Sequence, residues 1–287
     1  MLPGCLPFYI ECGEEKFPEA PCPLDTMRRP TLSQTFVFLF IFGATFLGAV
    51  STASAKKVIK GGNIGTRTWT KASGPYEIQG DITVPAGATL TIQAGTTVDV
   101  ATSDFIGSGR DTNDVEFIVK GTLNVVGTNA SPVTITGLGN GNSAWEGIFL
   151  KSNGSADIDH LSLEEAYRGL QIDGGASATV DDATITSSYT GVYVNGGQAT
   201  VTNTSFASNS DGVNVHSGKA TIDSSTISQS NDDGIFVSYT GDLTLTKSIV
   251  RDSGDDGIRV VCNRSAALAE IRNSTIHKNG GQGIELD

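Results

Sequence analysis

Seven Gly-apolar-x-apolar segments punctuate the second half of the chain, at glycines 147, 169, 191, 212, 234, 257 and 283. The residues beside these glycines have chemistry to offer. Two positions before them stand Trp145, Tyr167, Tyr189, Ser210, Asp232, Asp255 and Gly281; one position before stand Glu146, Arg168, Thr190, Asp211, Asp233, Asp256 and Gln282. Two positions after them stand Phe149, Gln171, Tyr193, Asn214, Phe236, Arg259 and Glu285. Sugar rings stack on aromatic faces, and charged groups hydrogen-bond their hydroxyls. Trp145, Phe149, Tyr167, Tyr189, Tyr193, Phe236 and Arg259 therefore form a candidate carbohydrate-binding stripe. Asp211, Asp232, Asp233, Asp255 and Asp256 form a candidate Ca²⁺ site, because that hard cation takes several carboxylate and carbonyl oxygens. Each set has a structural alternative: aromatics at a turn cover the end of a core, and Asn/Asp-Asp-Gly is turn chemistry.

Stacking sharpens the question for the acids. Adjacent unit charges at a strand spacing of about 4.8 Å repel by roughly 0.9 kcal/mol even in bulk water. A Ca²⁺ ion relieves this, and so do solvation and outward splaying. Ca²⁺ is the one cofactor the sequence suggests. Asp232/Asp233 and Asp255/Asp256 also imitate the carboxylates of a hydrolase, but the separation that defines such a pair is not written in a sequence. His160, His216 and His277 fall in different registers and form no cluster. Cys262 reads as a buried or partly buried thiol. Asn203 and Asn273 share one turn position with Asp182 and Ser224, which predicts a partial polar ladder with a structural role.

The elements that position these residues follow from periodicity. The glycine spacings are 22, 22, 21, 22, 23 and 26. A pair of apolar residues five apart follows each of the first six: Ile158/Leu163, Val180/Ile185, Val201/Phe206, Ile222/Ile227, Leu245/Val250 and Ile271/Ile276. The positions directly after each glycine and three after are all apolar, from Ile148 and Leu150 to Ile284 and Leu286, while the position between them is mixed. Alternation with period two means strand, with Ser, Thr, Asn, Asp and Gly supplying the turns. Strands this short bury a face only when each repeat is one coil of a solenoid stacked on the next. The sequence therefore predicts an all-β, single-stranded parallel β-helix of about 22 residues per coil. It implies about nine coils and a length of roughly 40 Å. Phe149, Tyr193 and Phe236 then sit two coils, about 9.6 Å, apart.

Residues 76–135 fit as less regular earlier coils, with Ile82/Val84, Leu90/Ile92 and Val98/Val100 in alternation and 103–113 as a loop over the surface. The repeats resemble the right-handed parallel β-helix repeat of pectate-lyase-like proteins and of a large group of uncharacterised secreted bacterial proteins. GDITVPAGATLTIQAGTTV and WEGIFL carry the likeness to the second group. The right hand is implied by this resemblance, which covers about residues 76–287. Within it, lyases hold calcium with aspartates and use an Arg base. Arg259 beside Asp255/Asp256 is the nearest local match, without an alignable motif. The fold hosts many functions, so the resemblance is specific for architecture.

Composition sets the remaining bounds. Net charge −12, from 31 acidic and 19 basic residues, argues against a nucleic-acid partner. The apolar run at 36–50 lies between Arg28-Arg29 and Ala53-Ser54-Ala55 and reads as a secretory signal peptide, short for a membrane span of about 20 residues. The expected organisation is a mis-called extension at 1–26, a signal peptide at 27–55 cleaved after Ala55, a cap or lead-in at 56–75 and the β-helix at 76–287. An uncleaved anchor is the alternative. Cys262 is then the one cysteine after residue 55, which predicts no intramolecular disulfide. The expected place is secreted or cell-surface, with the periplasm open. The last coil looks uncapped, which predicts a truncated frame, a piece of a larger surface protein, or end-to-end self-association.

The favoured function is an exported module that binds a polysaccharide or a cell-surface component without catalysis. The alternative is a polysaccharide lyase or glycoside hydrolase acting on acidic glycans. A structural stalk or spacer of a larger surface protein is the second alternative.

Overall fold

The computed structural model describes residues 8–11, 55–262 and 267–287. The expected signal peptide lies outside the described residues, save Ala55, and so does most of the expected extension. Among the described residues no helix is long and apolar enough to cross a membrane.

Each repeat is one turn of a three-faced solenoid. The first face runs through Trp145–Leu150, Ala166–Asp173 and the opening halves of Thr190–Thr202, Asp211–Asp223 and Ile235–Thr246, then Ile258–Val260 and Ile284–Leu286. The second face holds Ser155–Asp159, Ser177–Asp181, the closing halves of the three long strands, and Leu268–Arg272. These two faces share one ladder because the long strands round the corner without leaving it. The third face is a ten-stranded parallel sheet from Lys57–Ile59 to Thr275–His277. Among the described residues this makes about ten coils, against the nine or so expected. Residues 56–75 supply part of that surplus: Gly62–Asn63 and Arg67–Trp69 already pair in parallel with the coil above them.

The predicted register holds. Val192 lies opposite Val213, and Val213 opposite Ile235. The inward columns are buried from Ile148 to Val260 and form one continuous core, while in the last coil Ile276 and Ile284 are half-buried and Leu286 is exposed. At ~1.5–3 kcal/mol per buried aliphatic side chain, these columns are the main cohesive force.

The repeat glycines have a steric cause. A Cβ on Gly191 would sit 2.5 Å from the Gly212 carbonyl oxygen and 2.8 Å from the Phe206 ring; one on Gly212 would sit 2.4 Å from Ile227 Cγ2. Only a residue without a side chain lets the first and third faces meet there. The short third-face strands are bounded by left-handed residues. Asp182, Asn203, Ser224, Lys247 and Asn273 precede them, and Ser187, Ser208, Gln229, Asp252 and Lys278 follow, all with φ between 46° and 58°. Beside the first set runs a buried hydroxyl ladder: Ala183 N–H donates to Thr204 Oγ1, Thr204 N–H to Ser225 Oγ, Ser225 N–H to Ser248 Oγ and Ser248 N–H to Ser274 Oγ. The polar ladder expected at Asp182, Asn203, Ser224 and Asn273 therefore lies one residue further along, while Asn203 bonds Asp181 and Ser224 bonds Asp223. Beside the second set, Ser188 N–H donates to Asn209 Oδ1 (2.9 Å), and Asn209 Nδ2 donates to the Ile185 carbonyl (3.0 Å).

Two findings at the far end were not expected. Phe8–Glu11 runs antiparallel along Leu268–Arg272, covering the edge of the last second-face strand. Cys262 is disulfide-bonded rather than a thiol. The expectation of no disulfide counted only residues after 55, whereas the whole chain also carries Cys5, Cys12 and Cys22.

Candidate functional site

The outer side of the first face gathers most of the residues singled out above. Phe149, Gln171, Tyr193, Asn214, Phe236, Arg259 and Glu285 lie side by side in the predicted order. A bulge between Gly147 and Ile148 breaks the neighbouring column at its start, so Trp145 lies opposite Ala166 instead of Tyr167. Trp145 turns into the core, fully buried, and its indole N–H donates to the Glu164 carbonyl at 3.1 Å. Trp145 therefore leaves the candidate stripe and serves the core. Phe149 does face outward, but it too is fully buried, under the guanidinium of Arg110 (5.6 Å to the ring centre) and the ammonium of Lys151 (5.0 Å). Neither aromatic is accessible to a ligand.

What remains is a compact charged and aromatic surface. Tyr167 and Tyr189 stack on adjacent coils with ring centres 5.1 Å apart, and Tyr189 is exposed. The Arg168 guanidinium lies 4.0 Å from the Tyr193 ring centre and donates to Gln171 Oε1, which Arg110 also approaches at 3.4 Å. Gln171 Nε2 donates to Asp173 (2.6 Å), and Lys151 forms an ion pair with Asp173 at 2.8 Å. Burial alone would raise the Asp173 carboxyl, but the hydrogen bonds from Lys151 and Gln171 outweigh it and hold the group below its usual range. Lys151 thus pairs with Asp173 directly, while Arg110 and Arg168 reach the same network through Gln171. Further along, His216 packs against Tyr239 (4.1 Å) and, more distantly, Tyr193 (6.2 Å). Arg259 sits 6.0 Å from the Phe236 ring and pairs with Asp287 and Glu285.

The aspartates divide into two kinds. Asp211, Asp233 and Asp256 form a backbone-capping ladder. Asp211 accepts the Asp233 N–H, Asp233 Oδ1 accepts the Asp256 N–H (3.1 Å), and Asp256 Oδ1 accepts the Gln282 N–H (2.6 Å). Burial pushes the Asp211 carboxyl up to about 6 and the Asp233 carboxyl up to about 7, and neighbouring aspartates add to both shifts. Asp232 and Asp255 are exposed. Carboxylate oxygens of Asp232, Asp233 and Asp255 lie within 4.8 Å of one another, a spacing that suits a cation.

Sequence reasoning missed Arg110, Lys151, Asp173, His216 and Tyr239. Arg110 lies in the surface loop, and nothing local says that this loop folds back over the sheet. Tyr239 is legible in hindsight. The offset between coils grows from 22 to 23 residues between Val215↔Val237 and Ser217↔Thr240, and the extra residue, at φ 52°, is the exposed Tyr239.

The model of the right-handed β-helix region family matches residues 146–287. No curated protein matches the chain. Among solved structures it is similar to the crystal structure of pectate lyase Pel9A, with 14% sequence identity and a TM-score of 0.36. The likeness covers 62% of this chain and 60% of that one, so the chain spans about three-fifths of that protein's length.

Proposed function

The chain is a right-handed parallel β-helix protein, and from that premise we propose that its first face binds an acidic polysaccharide without a chemical step. One observation carries the reading. Arg168 lies over Tyr193 and Tyr167 beside the Tyr167–Tyr189 stack, and Arg110 meets it at Gln171 Oε1, a basic aromatic surface on a chain of net charge −12. Guanidinium groups match uronate or sulfate groups in geometry and charge, and tyrosine faces match sugar rings. Tyr193 and Phe236 lie two coils apart, about 9.6 Å, the repeat of a disaccharide. Export through the 36–50 signal would bring the module to such glycans at the cell surface or beyond it. The experiment is a glycan array with and without Ca²⁺. Acidic glycans should bind, and Arg168→Ala and Tyr189→Ala should each weaken binding about ten-fold. Binding that is indifferent to glycan charge and to both substitutions would refute the proposal.

A second reading rests on a different observation. Asp211 and Asp233 sit on adjacent coils of the same face, and burial holds both above the ordinary carboxylate range. A proton-bearing carboxyl beside an ionised one is the equipment of glycoside hydrolysis. The capping bonds these groups already make favour the structural role. Release of reducing ends or unsaturated uronides from an acidic glycan, lost in Asp211→Asn, would reverse that preference.

A further inference from the structure

The 103–113 loop is held over the first face by carboxylates that accept its N–H and hydroxyl groups. Asp104 accepts the N–H groups of Asp81, Ile106 and Ser108. Asp81 accepts the Glu116 N–H and the Ser108 hydroxyl. Glu116 accepts the N–H groups of Arg110 and Asp111, where the chain closes in so tightly at Gly109 that a Cβ would lie 2.2 Å from Glu116 Oε2. Glu146 differs. It stands beside the bulge on the strand beneath the loop and is only 7% exposed, and no hydrogen bond reaches its buried Oε2. A buried carboxylate oxygen without a donor carries a large desolvation cost. Acids crowd around it, with Arg110 as a positive neighbour: carboxylate oxygens of Glu146, Asp111 and Asp114 lie within 4.8 Å of one another.

We infer that Glu146, Asp111 and Asp114 hold a Ca²⁺ ion that fastens the loop to the first face. Oxygens on opposite sides of a Ca²⁺ are about 4.6–5.2 Å apart, so three carboxylates within that span reach one ion together. Mg²⁺ keeps most of its water and an octahedral shell, which a half-buried three-carboxylate site serves less well. The Asn113 N–H and side-chain amide orient Asp111, a ligand held in place by its own turn. This site is separate from the Asp232/Asp233/Asp255 cluster further along the solenoid. It stands whether or not the surface beside it binds glycans.

The test uses the full-length chain with CaCl₂ alone as ligand, read by titration calorimetry and by trypsin cleavage after the exposed Arg110. Ca²⁺ should bind the wild type and slow cleavage in the loop. Glu146→Gln and Asp114→Asn should each weaken Ca²⁺ binding about ten-fold or more and abolish the protection. The control Asp232→Asn/Asp255→Asn should retain both effects at Arg110. A wild type that gives no Ca²⁺ heat overturns the inference. So does a protection that survives in both Glu146→Gln and Asp114→Asn. Because Glu146→Gln removes a buried charge whose Oε2 accepts no hydrogen bond, it should fold about as well as the wild type without the ion, which keeps the comparison interpretable.

Discussion

Replacing Asp233 by Asn should make this protein more stable at alkaline pH and leave it unchanged in acid. Asp233 is buried, and its Oδ1 accepts the Asp256 N–H at 3.1 Å. An asparagine oxygen keeps that bond while removing the charge. Burial, with the charges of Asp232, Asp211 and Asp256, pushes the carboxyl up to about 7, whereas an unfolded aspartate titrates near 3.9. The folded state therefore holds its proton more tightly than the unfolded one. The stabilisation this gives is complete below about pH 4 and lost as pH rises through about 7. About three pKa units at ~1.4 kcal/mol each set an upper figure of ~4 kcal/mol, and solvent near Asp232 brings a working range of ~2–4 kcal/mol. For a domain of this size that is on the order of 5–10 °C in Tm at pH 8, and less than about 2 °C at pH 4.5. Thermal unfolding followed by circular dichroism in EDTA, for both proteins across that range, is the assay. An equal gain at both pH values, or a loss at pH 8, would refute the argument that this carboxylate is strained by ionising.

Other positions give sharp outcomes. Gly212→Ala should lower Tm by several degrees, because its Cβ meets Ile227 and the Gly234 carbonyl inside a stack that cannot spread, at a cost of ~1–3 kcal/mol. An unchanged melting curve would contradict the close-approach account of the repeat glycine. Asn209→Ala removes two buried hydrogen bonds across coils and leaves the Ser188 N–H and Ile185 carbonyl unpaired, so chemical denaturation should show a loss of ~2–4 kcal/mol. Asn209→Ser should recover part of it, since Ser230 and Ser253 occupy the equivalent corner two and four strands on. Trp145→Phe should cost stability and leave any glycan binding intact, as its burial and its bond to Glu164 require.

The fold was legible because a stacked coil writes its register into the sequence. Val192 over Val213, and Phe149, Tyr193 and Phe236 on alternate coils, follow from counting between glycines. Counting fails where the backbone departs from the repeat. The bulge at Gly147 turns Trp145 inward, and sequence spacing alone made it an outward aromatic. Long-range coverage fails in a different way. Arg110 is 39 positions from Phe149 in the chain, yet it seals that ring, because the loop is anchored by Asp81, Asp104 and Glu116 from three separate segments. The aspartate runs were ambiguous for a third reason. The same residue type caps a turn through its carboxylate or holds a cation, and only the N–H of the next coil, donating to Asp233 and Asp256, distinguishes the two.

The left-handed corners have an implication for how such a chain changes over time. His160, Asp182, Asn203, Ser224, Lys247 and Asn273 adopt one backbone twist although they range from Asx residues to a lysine. Asp and Asn visit this conformation readily, but for Ser224 and Lys247 it is one that an isolated peptide resists by roughly 1–2 kcal/mol. The neighbouring layers impose that twist, so a single layer cut free would unbend. Insertions and deletions should therefore survive in whole layers, where every corner inherits a template above and below, and fail when a few residues throw the corners out of phase. Tyr239 marks the tolerated exception: one added residue, accommodated by swinging outward at the rim.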